Sequence, residues 1–422
     1  MKKNLLILCT IVITTGQLLQ SAPLNLFEPY DINIRLKKPA KNNFYFGILG
    51  EKSYDVKGYA TDCDEEKTLL VNPLQIYEPQ QNLLGLYQSV SPESSSFLTT
   101  LDTIAGGAGG GVGNMQNGLF TPTGEFSAAQ VAFSGIYGIG QGFYISAHLP
   151  VYFVRLKNVC WEYAGNSSLF SGEQIQQLAN SFETDAKNLF DLHTGGWEQN
   201  GIGDVTCMLE WQRDFPQRRP VLKSVQPNIR IGLSIPTSND TCTNIIMPTP
   251  FGADGSLGLP FGGGLGITLA DHVELGFSGQ FWYYWSNQKD RRIKTFATQT
   301  SLLYPTVTQT IKEFSFLQNF NLHGQVFSSC KRYALKFGYQ YWRKGEDIIT
   351  PLSSQFNPQV ANTAPELAES TRHNVFLTFT YSPLRDDFQR IIPQLQIFWK
   401  GAVKGMRSAL VSSAGAQFSI IF

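Results

Sequence analysis

Between residues 227 and 236, apolar and polar side chains change places at every step. Ile229, Ile231, Leu233 and Ile235 fall on one face, and Asn228, Arg230, Gly232 and Ser234 on the other. The same period of two runs over 272–285, where Val273, Leu275, Phe277, Gly279, Phe281, Tyr283 and Trp285 oppose His272, Glu274, Gly276, Ser278 and Gln280. It returns over 333–341 and again over 375–381. Alternation sustained for about ten residues predicts strands with one apolar and one polar face. Fainter versions at 43–50, 126–137, 141–154, 202–212, 259–269, 314–327, 391–400 and 413–422 bring the total to about twelve. The first of these is the weakest, and a shift there moves the count to ten or fourteen. The strands are long, near the roughly 9–11 residues of a membrane-crossing strand and above the five or six usual in a soluble sandwich.

The connections between these segments are unequal. Tight ones (Gly138-Ile139-Gly140, Ala270-Asp271, Ser328-Ser329-Cys330) alternate with long ones at 51–125, 155–201, 237–258, 287–312 and 344–370. Short turns at one end and long loops at the other define an all-β, antiparallel, up-and-down transmembrane barrel, with 51–125 and 155–201 as large extracellular loops. Aromatic clusters fall where such strands should end, with 281–285, 339–342, Tyr152-Phe153 and Trp399 outside and Trp211, Tyr381 and Phe422 inside. The one helical segment is 171–192. Ser171 and Gln174 carry a capping-box signal, and Ile175, Leu178, Phe182, Ala186 and Leu189 form a stripe for a lid or a packing element.

Composition sharpens this picture. Charged residues are 16% of the chain, against roughly 25% for soluble domains. Aromatic residues reach 13%, yet mean hydropathy is only −0.13. No apolar run of about 18 residues follows the first twenty positions, which excludes a bundle of membrane helices. Basic and acidic residues number 33 each, so no nucleic-acid partner is implied. At the start, basic Met1-Lys2-Lys3, an apolar stretch over 4–19 and small Ser21 and Ala22 predict a cleaved secretory signal over 1–22, with the barrel as 23–422. Cys9 sits behind Leu8, which is poor for a lipoprotein signal.

The final residues, Gln417-Phe418-Ser419-Ile420-Ile421-Phe422, resemble the closing strand of Gram-negative outer-membrane barrels, with Phe418, Ile420 and Phe422 at alternate positions. The resemblance implies an outer-membrane location among its lipids, and recognition of this segment by the barrel-assembly machinery. A second stretch, Asn200-Gly201-Ile202-Gly203-Asp204-Val205 followed by 227–238, is similar to a strand pair in channels of the meta-pathway phenol-degradation type, related to fatty-acid transporters. It implies passage of small, often hydrophobic, compounds. The usual Pro-Thr-Gly is Pro236-Thr237-Ser238 here, and Gly-x-Gly-Asp is also a general barrel entry in which Asp204 caps free amides.

Chemistry for catalysis is missing from the sequence. Neither dinucleotide nor P-loop fingerprints occur, and the glycine run 105–113 reads as a flexible or inward-folded loop. No G-x-S-x-G or H-E-x-x-H is present. Some twelve-stranded barrels are phospholipases, but His373 and Asn374 alternate faces, so no enzyme and no cofactor are expected. The acidic run 62–66 lacks the glycine and closing glutamate of a calcium loop. Oxidising surroundings permit one disulfide among Cys63, Cys160 and Cys242.

The polar face carries the remaining signal. Asp204, Glu210, Arg230, Glu274, Lys336, Arg372, Lys400, His148 and His323 line the expected lumen, the histidines as solvated groups, beside Gln280, Gln325, Gln340, Gln394 and Gln396. Such mixed charge implies weak ion selectivity or a bore laced shut by salt bridges. Tyr144, Trp282, Phe376 and Phe398 narrow it further. The leading expectation is a channel for passive transport of small solutes, hydrophobic ones among them. The alternative is a structural or surface-interaction barrel acting through its extracellular loops. Oligomeric state stays open.

Overall fold

The computed structural model describes residues 44–61, 68–88, 90–104, 115–165, 170–270, 272–382 and 391–422. The expected signal peptide, the acidic run 62–66 and the glycine run 105–113 lie outside these residues. Twelve antiparallel strands close into a barrel. They are β1 (Phe44–Thr61), β2 (Leu119–Gly140), β3 (Phe143–Tyr163), β4 (Val205–Gln212), β5 (Leu222–Ile235) and β6 (Gly258–Leu269), then β7 (Val273–Tyr284), β8 (Leu317–Phe327), β9 (Tyr333–Lys344), β10 (Ser370–Tyr381), β11 (Ile392–Met406) and β12 (Ser408–Ile421). Each pairs with its neighbour in the chain, and β1 pairs with both β2 and β12. Phe44 and Phe422 exchange backbone hydrogen bonds at the seam's end (3.3 and 2.8 Å), and their rings stack 6.3 Å apart.

Burial along the strands is inverted relative to a water-soluble protein. Ile229, Ile231, Leu233 and Ile235 are 62%, 50%, 46% and 42% exposed, whereas Arg230 and Ser234 between them are buried. Outward Phe143, Ile145 and Phe153 on β3 alternate with inward Tyr144, Ser146, His148 and Tyr152. An apolar belt of this extent has hydrocarbon as its solvent, which makes the barrel transmembrane. No helix among the described residues is long and apolar enough to cross a membrane.

At the inner end β2 turns into β3 through Gly140, Gln141 and Gly142, all at positive φ. A side chain at Gly142 would stand 2.4 Å from the Gln212 carbonyl, so only glycine fits. Ala270 and Lys331 take left-handed backbone at the β6–β7 and β8–β9 turns. Several strands run further outward than the apolar pattern indicated. β1, β2 and β3 continue through 51–61, 119–125 and 155–163, and β11 and β12 meet at Arg407 alone. Above the lipid belt the outer face meets water, so it needs no apolar residues; Glu125, Ser127, Arg155 and Lys157 stand there.

All five long connections fold together beyond the outer rim. Asn287–Ile293, Thr306–Glu313 and Ile348–Pro351 form a separate three-stranded sheet. Two helices, α1 (Ser96–Ile104) and α2 (Gly172–Phe190), pack on each other. The expected capping box at Ser171 and Gln174 starts α2. Its Leu178, Phe182 and Ala186 sink into an apolar core with Leu83, Phe97, Trp161 and Leu303, while Leu189 stays exposed. Asp185 joins the two helices: its carboxylate accepts from Ser95 Oγ (2.6 Å), Ser96 Oγ (2.7 Å), Ser96 N (3.2 Å) and Phe97 N (3.0 Å). It therefore caps the start of α1 from a different loop. The expected outer-loop disulfide does not form among the described cysteines: Cys160 and Cys242 are free thiols, and Cys63 lies outside the described residues.

Asp185→Ala removes the carboxylate that accepts from Ser95, Ser96 and Phe97 and leaves Ser95 Oγ as acceptor for Leu98 N; the expected loss is about 1–2 kcal/mol, confined to the cap. Limited proteolysis should cut 90–104 faster, while the barrel keeps its heat-modifiable migration on gels.

Candidate solute pathway

Inward side chains of adjacent strands stand opposite one another, so the lumen wall reads as rows. One row runs Glu210, Arg230, Gln280, Asn319, Trp342 and Arg372 from β4 to β10, with Gly262 of β6 inside it. Trp342 is held between Trp282, stacked at 5.3 Å, and the Arg372 guanidinium, 5.5 Å from its ring centre. Nearer the inner end runs Glu274, Gln325, Lys336, Thr378 and Phe398. Glu274 lies 3.8 Å from His323 Nε2.

Both lumen histidines are buried rather than solvated. His148 bonds Ser134 Oγ (2.8 Å) and Ser146 Oγ (3.1 Å), and Ser146 donates on to Glu210 Oε1 (3.0 Å). Lys400 lies over the Phe398 ring and pairs with Glu51 at 3.2 Å. Glu51 also accepts from Ser413 Oγ (2.6 Å) and Gln130 Nε2 (3.0 Å), tying β11, β12, β1 and β2 together inside the bore. The apolar pattern over 43–50 stops one residue short of Glu51, yet the strand continues and the alternation Tyr45, Gly47, Leu49, Glu51, Ser53 turns it inward. Asp204 sits at the outer rim, where it accepts from Ser238 N (3.2 Å) and Ala253 N (2.6 Å) and anchors the β5–β6 loop. At the inner end Tyr45, Ile136 and Tyr144 cluster beside Ile421. Phe418 and Phe422 point outward to lipid at that end.

The cap bridges the mouth. Strands β1–β2 and β7–β8 lie half the ring apart, yet their loops are hydrogen-bonded to each other. Ser301 N donates to Glu78 Oε2 (2.5 Å), Leu302 N to Gln81 Oε1 (3.2 Å), and Asn82 N to Thr300 Oγ1 (3.1 Å). The Arg292 guanidinium adds a second tie, donating to the Phe190, Asp191, Tyr304 and Pro305 carbonyls at 2.8–3.0 Å. Beneath them Tyr304 Oη donates to Glu366 (3.0 Å), and Lys344 Nζ reaches the Glu366 carbonyl (3.2 Å). Burial pushes the Glu366 carboxyl up to about 7, against the bond from Tyr304, and neighbouring Glu78 pushes the same way.

The wall itself has a seam. Pairing of β1 with β2 stops at Lys52 and Ala129, although β1 continues along β12 to Tyr59 and β2 along β3 to Phe120. Side chains replace the missing ladder. Ser53 Oγ accepts from Ala128 N (2.8 Å), Asn72 Nδ2 donates to Gly124 O (2.9 Å), and Gln75 Nε2 to Pro122 O (2.8 Å). A crevice of about 750 Å³ opens along this seam between Tyr54, Leu70, Phe126 and Arg155.

No protein-family model and no curated protein matches the chain. The solved structures it resembles are outer-membrane channels. One, an outer membrane channel from Pseudomonas putida F1, is 9% identical over 91% of this chain and 96% of its own, with a TM-score of 0.47. The CymD monoaromatic hydrocarbon channel is 10% identical over 95% and 94%, with a TM-score of 0.30. The Ralstonia pickettii toluene transporter TbuX is 9% identical over 90% and 89%, with a TM-score of 0.31. These are loose likenesses of fold between chains of very different sequence.

Two outcomes follow from the cap and the seam. Glu366 holds its proton more tightly in the closed cap than at its ordinary value of 4.5. Closure is therefore favoured at low pH, and that advantage is lost as pH rises from about 4.5 through about 7. Hydrogen-exchange protection of 345–369 should fall across that range in the wild type and stay level in Glu366→Gln. Separately, Asn72→Ala with Gln75→Ala removes the two bonds to β2 and the cap bond that Asn72 accepts from Leu74 N, about 1 kcal/mol each. Exchange should quicken over 119–128 and stay unchanged in β5–β9.

Proposed function

We propose that the protein is an outer-membrane channel for passive transport of small solutes, exported through its N-terminal signal and closed at the outer face by its folded loops. The observation that carries this reading is a closed barrel with a polar, inward-facing wall, bridged at one mouth by a few hydrogen bonds. Nothing covalent joins the two sides of that bridge among the described residues. Buried lumen charges that are paired, such as Lys400 with Glu51, leave little net field along the bore and favour uncharged solutes over ions. The bridging hydrogen bonds are each worth about 1 kcal/mol, and the apolar core that Leu302 and Leu303 share with Leu83 and Phe97 adds to them; opening separates loops and leaves the backbone ladder of the barrel intact.

Planar-bilayer recordings test the proposal. The full chain should show small, infrequent openings. Gln81→Ala with Thr300→Ala, which removes two of the four hydrogen bonds between the β1–β2 and β7–β8 loops, should raise the open fraction several-fold. Silence from both, together with no solute uptake into proteoliposomes, would move the function to the outer surface of the cap.

A further inference from the structure

The lumen wall contains one row whose chemistry differs from the rest. Ser278, Asn321, Gln340 and Asn374 stand directly opposite one another on β7, β8, β9 and β10. None carries a formal charge, although ionisable groups flank them along the strands: Arg372 toward the outside, and Glu274 beside His323 toward the inner end. Asn321 spends its amide hydrogens on Asn319 (3.2 Å) and Asn374 on Gln340 (3.2 Å). The Oδ1 atoms of both, and Ser278 Oγ, have no protein partner. One step outward along β9, the Trp342 Nε1–H is likewise without an acceptor. Trp282 and Arg372 cover both faces of that ring, so its edge is fixed in place.

All four groups are more than nine-tenths buried, so bulk water does not serve them. A solute that passes along this side of the bore exchanges contacts with them. Buried amides and hydroxyls left without partners are expensive, and a solute that supplies hydrogen bonds here is preferred to one that does not. Three acceptors and one donor require a solute with several groups that both donate and accept, which is the property of hydroxyls. Ser278 and Asn374 are three strands apart, about 14 Å at the usual strand spacing. One hydroxyl cannot serve both ends of such a row, but a molecule of one or two sugar rings can. On the inner side, the Phe376 ring lies against the bare backbone of Gly338 and offers an apolar face to a ring's C–H side.

We infer that this row is a binding site for neutral, multiply hydroxylated solutes of mono- to disaccharide size, and that it sets what the channel passes. The inference rests on the transport reading above and departs from the hydrophobic cargo that the sequence resemblance implied.

Proteoliposome swelling decides it. The solutes are glucose, sucrose and triethylene glycol dimethyl ether, an uncharged molecule with no donors. In the wild type both sugars should enter faster than the ether. Asn321→Leu and Asn374→Leu should each slow the sugars roughly five-fold, the effect of one lost hydrogen bond, and leave the ether unchanged. Ser278→Ala removes a single hydroxyl and serves where a leucine variant fails to show heat-modifiable migration. Sugar rates equal to the ether's, or unmoved in folded variants, overturn the inference while ether entry keeps the transport reading. No swelling with any solute overturns both.

Discussion

Hydrocarbon offers no partner to a backbone amide or carbonyl, and that constraint organises this molecule from the strands outward. A sheet can satisfy it only by leaving no edge, so β1 must find two partners, β2 on one side and β12 on the other. The last backbone bonds of the ring are made by Phe44 and Phe422, both at the inner end. Where the wall rises above the apolar belt, the constraint relaxes because water can serve the backbone. There β1 and β2 part, and Ser53, Asn72 and Gln75 side chains take over from the ladder. The seam appears where a broken ladder becomes affordable.

The same solvent reverses the usual placement of residues. With apolar side chains outward at the level of the lipid, charges such as Glu51, Glu210, Arg230 and Glu274 are turned into a narrow bore that twelve strands cannot make wide. Charges held there in low dielectric need partners, and the rows supply them from neighbouring strands. Glu51 collects Lys400, Ser413 and Gln130 from three other strands, and Glu274 faces His323. The lumen is therefore knit by polar contacts in the way a soluble core is knit by apolar ones. Regions without charge, such as the Ser278–Asn374 row, become chemically distinct places along the path.

Outside the membrane the ordinary rule returns. The long loops bury leucine and phenylalanine in a core of their own and hold it with reciprocal caps such as Asp185 on α1. Loops from opposite sides of the ring meet over the mouth, and the groups that join them include a carboxyl shifted toward neutral pH. Strength is thus graded along the molecule. The barrel is closed by a continuous ladder, the seam by side chains, and the mouth by hydrogen bonds and an apolar core shared between loops.

The strands were legible because a period of two over ten residues has one physical cause, two faces in two solvents. Twelve segments, the loop asymmetry and the helix at 171–192 all followed from patterning and capping alone. Their outer ends were not legible, since above the lipid both faces can be polar and the alternation disappears, as over 51–61 and 401–406. Site residues divided in the same way. Inward direction could be read for Arg230, Glu274 or Lys336 from strand parity, but partnership could not. Sequence places Glu51 and Lys400 at opposite ends of the chain, and nothing local pairs them; closing the ring does. The burial of His148, the row of amides and the bridge between Glu78 and Ser301 likewise depend on register between strands and on which loops meet. Local periodicity determines which way a side chain points, whereas only the closed barrel determines what it faces.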